Sequence, residues 1–152
     1  MAVPEAFAGS VGDWSGTNVL HVPWMPEPIK ESGSKAVISE ICSGQFLRVE
    51  YTWTYEGKPQ QGLLIFGSDP KSSSAQAVWT DSWHSANVLM LCNGSVEGET
   101  LTVEGKYSVP DNPDWGWRTE MTSGTDSLLY RMHNVTPEGF SELAVETNFL
   151  RS

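Results

Sequence analysis

Long apolar runs, clustered positive charge and closely spaced cysteines are all missing from this chain of 152 residues. Each absence narrows what the protein can be. No apolar run approaches the length of a membrane span. Nine Lys and Arg stand against nineteen Asp and Glu, for a formal charge of -10. Those cations are scattered singly, whereas phosphate binding needs them clustered, which argues against nucleic acid and anionic membrane surfaces as partners. Residues 1–9 carry no basic start followed by an apolar stretch, so a standard export signal is not supported and the expected location is the cytoplasm. Cys42 and Cys92, the only two cysteines, lack C-x-x-C spacing and read as reduced thiols there rather than as a disulfide. In such a chain the acceptor patterns Asn93-Gly94-Ser95 and Asn134-Val135-Thr136 carry no glycosylation meaning. Helical periodicity, internal repeats and low-complexity stretches are absent as well.

Short β-type runs fill the chain instead. The clearest spans Phe46 to Tyr55. There Leu47, Val49, Tyr51, Trp53 and Tyr55 share one face, and Arg48, Glu50, Thr52 and Thr54 the other, the period of a strand with one dry and one wet side. Further runs cover Trp14–Val22, Lys35–Ile41, Gly62–Gly67, Gln76–His84, Asn87–Cys92, Thr100–Tyr107, Trp117–Thr122, Ser127–Val135 and Phe140–Leu150. Gly57-Lys58-Pro59 and Asn93-Gly94 read as turns between them. The Pro23–Pro28 segment, with three prolines, cannot be a central strand. It reads as a loop bearing Trp24 and Met25, of the kind that lids a barrel mouth. Residues 1–9 read as an arm anchored by Phe7. The expectation is a single all-β domain over residues 1–152, a closed or nearly closed antiparallel up-and-down barrel of about ten strands.

The two ends of the chain carry the closure signal. Gly12-Asp13-Trp14 opens the first strand and Arg151 ends the last, an arrangement in which the guanidinium stacks on the indole by cation–π attraction. Gly12, Trp14 and Arg151 are thus expected to be structural. Gly12-Asp13-Trp14-Ser15-Gly16 resembles the Gly-x-Trp-x-Gly opening of lipocalin-like (calycin) domains. Gly44-Gln45-Phe46-Leu47-Arg48-Val49-Glu50-Tyr51, Gly67-Ser68-Asp69-Pro70, Trp79-Thr80-Asp81-Ser82 and Arg151 follow in order. Together they resemble an uncharacterised bacterial family of lipocalin-like proteins, catalogued as a domain of unknown function. The resemblance runs from Phe7 to Arg151 and implies a calycin-type barrel; it implies no activity.

Seven tryptophans suit either heavy core packing or an aromatic pocket. Tyr51, Trp53, Trp79 and Trp117 fall on strands and are candidates for the apolar wall of an internal cavity, with Asp81 or Arg118 as a polar handle. Arg118 and Glu120 share a strand face, and a solvated surface pair is the competing reading. Asp81 and His84 are candidates for acid–base work only if both face the interior. Their i, i+3 spacing puts them on opposite faces of a regular strand unless a bulge intervenes at Ser82-Trp83. No Gly-x-Ser-x-Gly elbow, phosphate-cradling loop or zinc-type histidine spacing is present. Some barrels that resemble the wider calycin group hold haem through one late-strand histidine, which makes His133 a haem-ligand alternative. The leading expectation is non-catalytic binding of a small apolar or amphipathic molecule inside the barrel, with no cofactor. The alternatives are an enzyme acting on such a molecule, or a filled barrel that self-associates, as a homodimer, through a patch around Trp24 and Met25.

Overall fold

The computed structural model describes residues 1–85 and 87–152. After a 3-10 turn at Glu5–Ser10 come β1 (Gly12–His21), β2 (Ile29–Ile41), β3 (Phe46–Tyr55), β4 (Lys58–Ser68) and β5 (Ser74–Asp81). There follow β6 (Met90–Glu97), β7 (Thr100–Val109), β8 (Asn112–Ser123), β9 (Ser127–Val135) and β10 (Ser141–Arg151). Each strand pairs antiparallel with its sequence neighbour, and β1 pairs with β10 to close the barrel. Among the described residues the closure leaves no unpaired sheet edge. Among the described residues no helix is long and apolar enough to cross a membrane.

Alternation decides which side chains point in. On β3, Leu47, Val49, Tyr51 and Trp53 are buried while Glu50, Thr52 and Thr54 are exposed. Tight turns do the rest. Glu56 and Gly57 both take positive φ (47° and 78°), the two-residue hairpin geometry whose twist matches the strands it joins. Asn93-Gly94 is not a turn; both residues lie within β6, and Gly94 faces Val103 across the ladder. A methyl at Gly94 would strike the Thr102 carbonyl, so this glycine serves close strand approach. The turn comes later, at Gly98 with φ 58°.

One end of the barrel is plugged. The Trp14 indole is buried, the Arg151 guanidinium carbon sits 4.3 Å from its ring centroid, and Trp14 Nε1–H donates to the Ser10 carbonyl at 2.8 Å. Arg151 also donates to the Gly9 carbonyl at 2.6 Å and the Val11 carbonyl at 3.2 Å, tying the N-terminal turn to the last strand. Phe7, fully buried, closes this end with its ring edge-on to Phe66 at 5.3 Å. Leu47, Leu64, Leu101, Met121 and Leu128 fill the interior above it. The opposite end carries residues 22–28, 82–85 and 87–89 and stays open enough to hold a cavity.

Candidate functional site

The open end is organised by one row of residues across three strands. Tyr51 on β3 pairs with Gly62 on β4, and Gly62 pairs with Asp81 on β5. Because Gly62 has no side chain, the Tyr51 phenol lies over it and donates to Asp81 Oδ2 at 2.8 Å. A methyl at Gly62 would overlap that ring. Trp53 Nε1–H donates to the same carboxylate oxygen at 3.2 Å, and Trp79 Nε1–H donates to the Tyr51 hydroxyl oxygen at 3.1 Å.

Asp81 also ends its strand. Its Oδ1 accepts the backbone N–H groups of Trp83 at 2.9 Å and His84 at 3.0 Å. The Ser85 hydroxyl accepts from the Asp81 N–H at 2.8 Å and donates to the Asp81 carbonyl at 2.9 Å. Local side-chain bonds of this kind compete with ladder pairing and open a turn. The strand phase expected to run on to His84 therefore stops at Asp81, and the chain doubles back. The expected separation of Asp81 and His84 onto opposite faces is corrected: His84 Nδ1 lies 3.2 Å from Asp81 Oδ1, and both side chains are buried. Burial opposes the charge on Asp81, but the hydrogen bond and proximity of His84, with the two backbone donors, hold its carboxyl below the usual 3.8. Burial, reinforced by Tyr130 and Asp81, pushes the Tyr51 phenol well above its ordinary range, so it stays a donor.

His84 sits in an aromatic cage. Its ring centroid lies 4.7 Å from Trp83, 5.1 Å from Trp117 and 5.4 Å from Trp53. Trp79 and Trp117 stack nearly parallel, 5.2 Å apart at 19°. Beside them a cavity of about 620 Å³ opens at the mouth, walled by Trp79, Trp117, His84, Met90, Tyr107 and Asn134. Trp24 and Val88 stand at its rim with Lys106 and Asp114. Two buried polar atoms of residues that line it, His84 Nε2 and Trp117 Nε1, make no hydrogen bond. Tyr107 donates to Asn134 Oδ1 at 2.6 Å, which fixes that part of the wall.

The structure thus gathers Tyr51, Trp53, Trp79, Asp81 and Trp117 at one end of the interior. Arg118 does not join them. It alternates with buried Trp117 and Thr119 on β8, so it stands on the outer face, where its Nε donates to Glu120 at 3.1 Å. His133 is corrected likewise as an interior ligand. It is on the outer phase of β9, beside Arg118 and Leu143 in the ladder, and partial burial holds its imidazole below 6.5. A haem inside the barrel does not fit a histidine placed there. Among the described residues no three His, Cys, Asp or Glu side chains gather as a metal site would need. Met90, Tyr107 and Asn134 were not singled out by sequence, and His84 was weighed only as half of an acid–base pair that strand phase set on opposite faces. The Asp-Ser-x-x-Ser signal of a side-chain-capped turn was available for His84; nothing local marks the other three.

These features define a class: a closed ten-stranded up-and-down barrel, plugged at one end and hollowed at the other by an aromatic cavity. The chain belongs to the family described as "Protein of unknown function (DUF1579)", whose model matches residues 4–151. Its fold is similar to the crystal structure of Rv2717c from M. tuberculosis, with a TM-score of 0.65, 14% sequence identity and 99% of each chain covered. No curated protein matches the chain.

Proposed function

We propose that this is a lipocalin-like binding barrel that takes one small apolar or amphipathic molecule in its open end, without catalysing a reaction. The cavity carries the reading. Protein interiors are packed tightly, and a void of about 620 Å³ walled by stacked Trp79 and Trp117 falls within the range of small-molecule sites. The packed half of the barrel supplies the stability, so the open half need not be filled by its own side chains.

Methionine-methyl NMR tests this directly. Met90 lines the cavity, whereas Met121 is buried in the packed half. Titration with nitrobenzene, a plain aromatic probe, is expected to shift the Met90 methyl saturably and leave Met121 in place. A titration that moves neither methyl, or moves Met121 as much as Met90, would sink the proposal. An enzymatic reading has one observation in its favour, the Asp81–His84 pair at 3.2 Å. It would require turnover that is lost in His84→Gln.

A further inference from the structure

We infer that the cavity selects a hydroxylated aromatic molecule, whose O–H is received by His84 and whose oxygen is met by Trp117. This rests on the binding reading above and names the ligand class. Asp81, ionised, has no proton to give, and it accepts from five directions: Tyr51, Trp53, two backbone N–H groups and His84 Nδ1. A neutral imidazole beside that carboxylate carries its proton on Nδ1, which leaves the Nε2 lone pair as an acceptor. Nε2 is buried without a partner in a side chain only 8% exposed. Trp117 Nε1–H, a donor only, is also buried without a partner.

The two ring centroids lie 5.1 Å apart, and both residues line the cavity. An orphaned acceptor and an orphaned donor in one wall each carry a desolvation cost that a ligand group can relieve. A hydroxyl donates one hydrogen bond and accepts another, so a single group serves both. A carboxylate offers only acceptors and would face the Nε2 lone pair; a plain hydrocarbon relieves neither atom. The stacked Trp79–Trp117 pair and the Trp83 ring supply apolar surface for the rest of an aromatic body.

The test compares nitrobenzene, 4-nitrophenol and 4-nitrobenzoate in slightly acidic buffer, where the phenol keeps its proton and the benzoate stays ionised, so that probes of similar shape differ in the group presented. The wild-type protein should bind 4-nitrophenol about tenfold more tightly than nitrobenzene, the worth of one net hydrogen bond. It should bind 4-nitrobenzoate least tightly. In His84→Gln and His84→Phe the phenol's advantage over nitrobenzene, each measured in the same variant, should fall to within about twofold. A readout without substitution comes from 15N-labelled histidine. The imidazole signal absent from His84→Gln should show the Nδ1–H tautomer and move when 4-nitrophenol binds. Equal affinity for nitrobenzene and 4-nitrophenol overturns the inference but leaves the binding reading standing. Preference for 4-nitrobenzoate overturns it by showing a protonated His84. Failure of nitrobenzene to bind at all removes the binding reading itself.

Discussion

Gly62→Ala is the substitution that most directly probes how the site is built. The added methyl falls where the Tyr51 ring lies, so the phenol must leave Gly62 and with it Asp81. A hydrogen bond to a charged acceptor contributes about 1.5–3 kcal/mol, and forcing a methyl into a packed interior costs about 1–3 kcal/mol. Replacing glycine by alanine returns about 0.4–1 kcal/mol through the unfolded chain where the backbone allows it. The net expectation is a loss of about 3 kcal/mol, a large share of the 5–15 kcal/mol typical of a domain. Urea unfolding followed by tryptophan fluorescence measures it. A double-mutant cycle isolates the cause: in a Tyr51→Leu background, where the ring is gone, Gly62→Ala should cost less than about 1 kcal/mol. A loss equal in both backgrounds, or below about 1 kcal/mol in the native one, would refute the claim that Gly62 exists to let Tyr51 pass.

Three further outcomes follow from the same geometry. The folded Asp81 carboxyl is held below 3.8, so its contribution to stability is present above that value and lost as pH falls through the lower folded value. Asp81→Asn should therefore be less stable than wild type at neutral pH but lose less on acidification; parallel pH–stability curves would contradict this. Cys92 is buried, and burial with the nearby Glu104 pushes its thiol up to about 11, while Cys42 is exposed. A thiol-reactive disulfide dye should modify Cys42 rapidly in the native protein and Cys92 only after unfolding; fast modification of both would show that the wall at Cys92 opens. Arg151→Gln should cost about 1–2 kcal/mol by removing the guanidinium from the Trp14 face, measured by thermal or urea unfolding. Ligand-probe affinity at the far end should stay unchanged, and a loss of nitrobenzene binding would show that the two ends are coupled.

The barrel was legible because its signals are periodic and local. Alternation on β3 is uninterrupted, and Trp14 and Arg151 announce the closure across the full length of the chain. Turn chemistry was less transparent. Asn93-Gly94 has the composition of a hairpin turn, yet Gly94 is there because the Thr102 backbone comes too close for a side chain. A glycine needed for φ and a glycine needed for space look the same in a sequence. The inward aromatics were readable from strand phase; the facing of Arg118 was not, because phase left the interior handle and the surface pair with Glu120 both open, and burial decides for the pair.

The centre of the candidate site was harder to read, for one physical reason. Strand phase assigns faces only while the ladder continues, and Asp81 stops it. Its carboxylate takes the backbone N–H groups of Trp83 and His84 that a continuing strand would have offered to a neighbour, and Ser85 seals the turn from the other side. The interruption reverses the direction of the chain and carries His84 back into the interior. The same atoms that break the strand also bind the imidazole, so fold and site are one device here. A sequence of the type Asp-Ser-x-x-Ser at the end of an alternating run is thus a point at which facing must be reset. Counting residues past it in steps of two sends His84 outward; allowing the carboxylate its local donors brings it in.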